Sequence, residues 1–412
     1  MEKLNTFILT SLKNVKRDYS TSAVVIGLIA TLVSYAGPLL IVFQAAKVAH
    51  LSEGLVSSWI WAISFGSGLT CILLSLWFKA PIITAFSTPG AVLLVSSWST
   101  YSYSEAIGAF IVSAVIITIL GVTGLFSNIM KKIPQSITTA MLAGILLHFG
   151  INVFTSLGKL PFVVIPMIVF YLFSKRWIPR YAVIVSLLTG LFTAYLAHEL
   201  HFHNVHINFV HPIITVPSFS INALIGIGIP LCIVTMASQN APGISVLRAD
   251  GYQTPVSPLI TATGLSSLVF APFGSHGINL AAITAAICTG KEAHANPDKR
   301  YIAGISCGIF YLIFGIFGAT IVSLFAAFAL ELIAGIAGIA LFGSLSSSLS
   351  VSMQGDKKES ALITFLVTAS GVSIFGIGSA FWGLIAGLFV DWILFGKMRN
   401  LHFRQQKQEL KL

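Results

Sequence analysis

The chain has 412 residues, 56% of them hydrophobic and only 9% charged, with a net charge of +10. Soluble domains carry about 25% charged residues, so a water-soluble globular protein is excluded and an all-α integral membrane protein is implied. In a soluble chain the positive balance would suggest nucleic acid; here it belongs to basic loops between apolar runs, and no nucleic-acid partner is expected.

Residues 1–20, "MEKLNTFILTSLKNVKRDYS", read as a short basic leader, not as a cleavable signal peptide. Fourteen apolar elements follow, near 21–49, 54–78, 84–100, 104–127, 135–156, 160–174 and 180–198, then 219–241, 255–271, 274–290, 301–325, 328–349, 360–372 and 375–395. Residues 199–218 form a loop between the two sevens, and 397–412 a basic tail. A complete span needs about 20 apolar residues. Elements 3 (84–100) and 10 (274–290) fall short and are read as interrupted. Cys71, Cys232, Cys288 and Cys307 lie in apolar runs, as small buried hydrophobes and not as a disulfide or zinc framework.

The charge pattern orients the elements. With both termini in the cytoplasm of an inner-membrane protein, only Lys47 and Lys159 of the 23 Lys and Arg residues fall outside. Lys79, Lys131, Lys132, Lys175, Arg176, Arg180 and Arg248 are among those inside. One span more or fewer would scatter the pattern.

The halves echo each other. "AFSTPGAVLL" (85–94) resembles "PFGSHGINLA" (272–281), aligning Phe86 with Phe273 and Gly90 with Gly277. An odd number of elements, seven, separates the copies, so the repeats are inverted, the plan of secondary transporters with a site near the bilayer midplane. Non-helical backbone at that depth is tolerated only inside protein or beside a water-filled cavity. A half-helix starting there exposes N–H groups with a partial positive charge. "STPG" (87–90) and "GSHG" (274–277) are the expected starts, together making an anion site without a Lys or Arg in either segment.

A third anomaly is "TMASQNAPGISVLRADGY" (235–252), which ends the hydrocarbon run "INALIGIGIPLCIV". An amide pair and a helix breaker are costly in lipid, so element 8 is expected to break beside a substrate cavity. Together with "STPGAVLL", "YSEAIGAF", "MLAGILLHFG", "APFGSHGINLAAITAAICTG" and "GIFYLIFGIFGA", this block resembles the benzoate:proton symporter (BenE) family over nearly the whole chain. The resemblance implies the fold of the nucleobase transporters, with a core domain from elements 1–4 and 8–11 and a gate domain from 5–7 and 12–14. It also implies proton-coupled import of an aromatic carboxylate such as benzoate, held between the domains below half-helices 3 and 10. Nucleobase transporters of this fold hold substrate with acids in elements 8 and 10. The neighbourhoods here, Ser238-Gln239-Asn240 and Ser275-His276-Gly277, have none, which suits an anion and removes the obvious proton carrier.

Candidate substrate-binding residues are Tyr35, Ser87, Thr88, Gly90, Gln239, Asn240, Ser275, His276, Gly277 and Asn279. Gln239 and Asn240 offer uncharged donors, but helix periodicity puts at most one toward substrate; Gln239 is favoured, with Asn240 bracing the break. Ser87, Thr88 and Ser275 bind the anion or cap the half-helices. His276 is a ligand and proton carrier or a neutral histidine held by backbone. Glu331 and Asp391 are the carboxylates in the gate spans and the other proton-coupling candidates. "HELHFHNVHINFVH" (198–211) holds five histidines but only H-E-x-H where zincins need H-E-x-x-H. A metalloenzyme using His198 and His201 and an inorganic-anion exchanger of the same fold are the alternatives. No cofactor and no resident metal are expected, and a homodimer is compatible with the reading.

Overall fold

The structure, a computed structural model, describes residues 13–36, 38–98, 100–126, 134–178, 181–199, 207–291, 293–326, 328–372, 374 and 379–409. The expectations placed on Lys131, Lys132, Arg180 and His201 lie outside these residues.

A backbone in lipid must close its own hydrogen bonds, and helices do so segment by segment. Element 1 is α1 (Thr21–Ala36) with α2 (Pro38–Val48), and element 2 is α3 (Glu53–Phe78). Element 3 is a three-residue strand, β1 (Thr84–Phe86), followed by the half-helix α4 (Thr88–Ser97). Then come α5 (Tyr103–Val122), α6 (Gln135–Lys159), α7 (Pro161–Trp177) and α8 (Ala182–Leu196). In the second half, α9 denotes element 8 (Ile221–Ala249), and α10 (Val256–Phe270) is element 9. Element 10 repeats element 3, with β2 (Ile278–Leu280) leading into α11 (Ile283–Thr289). The chain closes with α12 (Tyr301–Ile316), α13 (Gly318–Ala326), α14 (Leu330–Ser352), α15 (Lys358–Ala369) and α16 (Ser379–Glu409). Helix α16 runs through most of the basic tail. Among the described residues, seven spans are long and apolar enough to cross a membrane unaided, or eight with α14, which bends by 40° near its middle.

Two expectations are corrected. Element 8 does not break: α9 stays helical through Pro230 and Pro242 by widening to π turns at Leu224–Gly228 and Met236–Asn240. Each π turn ends two residues before a proline. Proline supplies no N–H and its ring crowds the carbonyl four residues back, and a wider turn gives that carbonyl room. The second half-helix, moreover, starts at Ile283 and not at 274–277. Gly274 (φ 108°) and Gly277 (φ 138°) instead shape the turn leading into β2, in a region that disfavours side chains. The alignment of Phe86 with Phe273 therefore fails, since β2 is the counterpart of β1.

Two bundles share the work. In one, α3 packs on α12, α5 on α10, α1 on α12 and α2 on α4; in the other, α6 packs on α14 and α15, α7 on α8, and α15 on α16. Helix α2 meets α14 where the bundles touch. Small residues set the approach: a Cβ on Gly308 would lie 2.5 Å from the Gly68 carbonyl oxygen. The described end of the leader is pinned as well. Buried Asp18 accepts from Tyr301 Oη at 3.0 Å and from Arg17 at 3.0 Å, with Lys299 at 3.9 Å. The Arg17 guanidinium, helped by the Tyr301 hydroxyl and Lys299, holds the Asp18 carboxyl below the usual range against the opposing effect of burial.

Gly308→Val should cost about 2 kcal/mol through backbone overlap that no rotamer relieves, read as a lower melting temperature in detergent. For Asp18 the depressed carboxyl contributes stability above its unfolded pKa of about 3.9, lost as pH falls through the folded value. Asp18→Asn should therefore melt below wild type at pH 7, with the gap closing as pH falls through the folded value; a gap that persists unchanged into acid would refute the ionic anchor.

Candidate functional site

The site is built on a crossing of two extended segments. β1 and β2 pair antiparallel, Thr84 opposite Leu280, Ala85 opposite Asn279 and Phe86 opposite Ile278. The ends are closed by Ser87 N–H donating to the Gly277 carbonyl (3.0 Å) and Ala281 N–H to the Ile83 carbonyl (2.9 Å). Outward-facing groups are met by side chains. Ser267 Oγ accepts from Ile278 N–H at 2.7 Å, and Asn240 Oδ1 accepts from Leu280 N–H at 2.8 Å. In the amide orientation its neighbours require, Asn279 accepts from Ser87 N–H (3.1 Å) and donates to the Leu280 carbonyl (3.0 Å).

Helix α4 starts from this crossing with Ser87 as its cap, Oγ accepting from Gly90 N–H at 3.1 Å. Ser87 Oγ also meets Thr235 Oγ1 of α9 at 2.9 Å. Gly90 lets α9 approach, since a Cβ there would lie 2.6 Å from Leu231 Cδ1. His276 lies behind the crossing, fully buried. Trp59 Nε1–H donates to its Nδ1 at 2.9 Å, and its Nε2 lies 2.8 Å from the Ser87 carbonyl. An indole nitrogen only donates, so the proton of this imidazole sits on Nε2 and both ring nitrogens are engaged. A second proton would have to displace Trp59.

In front of the crossing lies a cavity of about 550 Å³, within the range of small-molecule sites. The strand-bearing bundle contributes Ser34, Phe86, Thr88, Ser238, Gln239 and Thr284. The second bundle contributes mainly apolar residues, Leu142, Leu146, Val183 and Leu341, with Tyr171, Lys175 and two serines of α14. Thr284 Oγ1 is buried with no partner among the described residues. The hydroxyl of Thr88 and the amide of Gln239 make no side-chain hydrogen bond there either. Thr88 and Gln239 thus offer donors at the cavity wall with no acceptor among the described residues, and the Thr284 hydroxyl lies buried in the same wall.

Of the ten candidate binding residues, Thr88 and Gln239 line this cavity. Ser87, Gly90, Asn240, His276, Gly277 and Asn279 form the frame behind it. Ser275 Oγ is buried without a partner among the described residues. Tyr35 instead bonds Ser64 and packs edge-on against Phe86 (6.5 Å) and Phe314 (5.0 Å). The two carboxylates are ion-paired away from the cavity, Glu331 with Lys159 at 3.6 Å and Asp391 with Lys357 at 2.8 Å. His198 sits at the end of α8, and no group of three or more metal-ligating side chains occurs among the described residues. Sequence reasoning did not single out Thr284, Tyr171 or Lys175. Thr284 is one hydroxyl in an apolar run, and Lys175 was absorbed into a basic loop.

Residues 17–393 match the family described as BenE, benzoate membrane transport protein. The chain belongs to this family. It is 42% identical to the benzoate membrane transport protein of Acinetobacter baylyi over 93% of this chain and 98% of the relative. It is 44% identical to the inner membrane protein YdcO of Escherichia coli over 88% of this chain and 93% of the relative. Among solved structures it resembles the transmembrane domain of the cyanobacterial bicarbonate transporter BicA, with a TM-score of 0.59 at 12% identity, covering 89% of this chain and 97% of that domain. The murine Slc26a9 anion transporter matches equally, with a TM-score of 0.59 at 15% identity over 92% of this chain and 69% of that one. This BenE-family chain is thus a multi-pass inner-membrane transporter with the inverted seven-plus-seven fold, and not an enzyme.

Asn240→Leu should cost about 1–3 kcal/mol by leaving the Leu280 N–H unpaired at the crossing. A lowered melting temperature in detergent checks it, and an unchanged one would show that the strand pair does not depend on this amide.

Proposed function

We propose that the transporter imports an aromatic monocarboxylate, benzoate foremost, together with protons. The strand-bearing bundle acts as the core and the bundle of α6–α8 and α14–α16 as the gate, with both termini cytoplasmic. One observation carries the reading: a cavity of mostly apolar walls, with the unpartnered donors of Thr88, Gln239 and Thr284 gathered on its core side and no Asp or Glu among its lining residues. An aromatic acid has the matching shape of chemistry, an apolar ring and one anionic end. The family description and the name of the Acinetobacter baylyi relative agree with benzoate as the substrate.

In this mechanism the Gln239 N–H and the two threonine hydroxyls hydrogen-bond the carboxylate beside the positive end of α4. The ring packs against Phe86 on the core and leucines of the gate. The π turn at Met236–Asn240 serves this division of labour, turning Gln239 to the cavity while Asn240 holds β2. Alternating access then moves the core against the gate with the site largely intact. Proton transfer at His276 requires Trp59 to give up Nδ1, which links protonation to a rearrangement of the strand crossing. Glu331 and Asp391 are proton-handling groups only in a state that releases their lysines.

The test is uptake of radiolabelled benzoate into proteoliposomes with and without an imposed inward proton gradient. The expected result is gradient-driven accumulation that collapses to simple exchange when the gradient is dissipated. Gln239→Ala should raise KM by at least about tenfold, the worth of one hydrogen bond to a charged group. Transport of chloride or bicarbonate without any of benzoate would replace this reading with that of an inorganic-anion exchanger.

A further inference from the structure

The donors on the core side are all uncharged, yet the proposed substrate is an anion, and the opposite wall holds a full positive charge. Lys175, in the last turn of α7, is the one charged residue among those that line the cavity. Its neighbour Arg176, about 100° further around the helix, does not line it. Positive-inside bias accounts for two cations at this helix end but not for the aim of one of them into a transport cavity. The Lys175 ammonium has no carboxylate partner among the described residues. It stands 6.0 Å from the centre of the Tyr171 ring, one turn back on the same helix. On the facing helix α14 its nearest neighbourhood includes Gly343, where a Cβ would lie 3.9 Å from Nζ, an ordinary contact distance.

Lys175 also lies far from the ion-paired end of the gate. The Lys159–Glu331 pair joins the last residue of α6, just before α7, to the first turn of α14, while Lys175 lies fourteen residues, about 21 Å, beyond the start of α7. Lys175 itself is exposed, and in the proposed orientation its end of α7 is the cytoplasmic one. A charge at the mouth of a low-dielectric cleft focuses its field into it and raises the local concentration of the opposite charge.

Resting on the aromatic-carboxylate reading, we propose that Lys175 is a specificity-determining residue of the gate: it meets the substrate's carboxylate at the cytoplasmic end of the cavity, where the core donors release it or, in exchange, take it up. The core side then recognises a hydrogen-bond acceptor, and the gate side requires that acceptor to be an anion. Selection of benzoate over its neutral amide comes from Lys175.

The experiment compares wild type, Lys175→Gln and Lys175→Arg in proteoliposomes by benzoate exchange at low and high ionic strength, with benzamide as competitor. Melting temperatures are recorded alongside; an exposed helix-end residue should leave them unchanged, and Lys175→Met serves as a second neutral variant. The expected result is a KM raised about five- to tenfold in Lys175→Gln with kcat nearly unchanged, and restored within about twofold in Lys175→Arg. Added salt should raise the wild-type KM and leave that of Lys175→Gln unmoved, because the attraction acts through water over about a Debye length. The preference for benzoate over benzamide should shrink by the same factor. Wild-type transport of benzoate with an unchanged KM, salt response and amide discrimination in both neutral variants would overturn this inference alone. Wild-type protein that transports no benzoate would overturn it together with the reading on which it rests.

Discussion

Extended backbone at membrane depth has no water to bond, so every N–H and C=O that leaves a helix must be met by protein. The crossing of β1 and β2 is how this chain meets that demand, and the rest of the site follows from it. Each strand is the other's solvent. What the pairing leaves over is taken by Ser267 of α10, Asn240 of α9, Asn279 of β2 and His276 of the turn before β2. The cost of interrupting two spans is thereby spread over many small contacts, none of which involves an ionised group.

Once the crossing is fixed, the cavity in front of it has a direction. Helix α4 points its capped start toward the cavity, and the π turn in α9 rotates Gln239 to the same place while keeping Asn240 behind. The donors gather on one wall because the polar backbone that needed them is on that wall. The opposite wall, free of that requirement, is mainly apolar, with Tyr171, Lys175 and two serines of α14 as its polar groups. A transporter built this way separates two tasks: a hydrogen-bonded frame that stays intact, and a smooth apolar face against which it slides. The prolines of α9 fit the same logic, since a π turn absorbs each one without opening the helix to lipid.

Much of this was legible from residue order. Hydropathy and the distribution of Lys and Arg yield fourteen elements in two inverted sevens, because lipid and membrane insertion act on local composition. The short elements 3 and 10 stood out for the same reason. So did the amides at Gln239 and Asn240, which no lipid-facing helix would carry. The misreadings have a common origin. "GSHG" was aligned with "STPG" by glycine spacing, but its glycines serve the positive φ of a turn before β2, while the half-helix begins later in a stretch with no capping residue at all. Pro-Gly after an amide pair reads as a break unless a π turn is foreseen, and nothing in residue identity announces a π turn.

What the sequence determined alone was the solvent of each segment: which stretches lie in lipid, which in water, and which two are too short to cross. That information is local, carried by transfer free energies summed over about 20 residues. Tertiary structure alone decided the partners. Whether His276 faces substrate or Trp59, whether Glu331 carries a proton or a lysine, and whether Lys175 is a loop charge or a cavity wall depend on residues that are distant in sequence. A polar side chain in a membrane protein declares that it needs a partner, and only the packing of the helices says which one it receives.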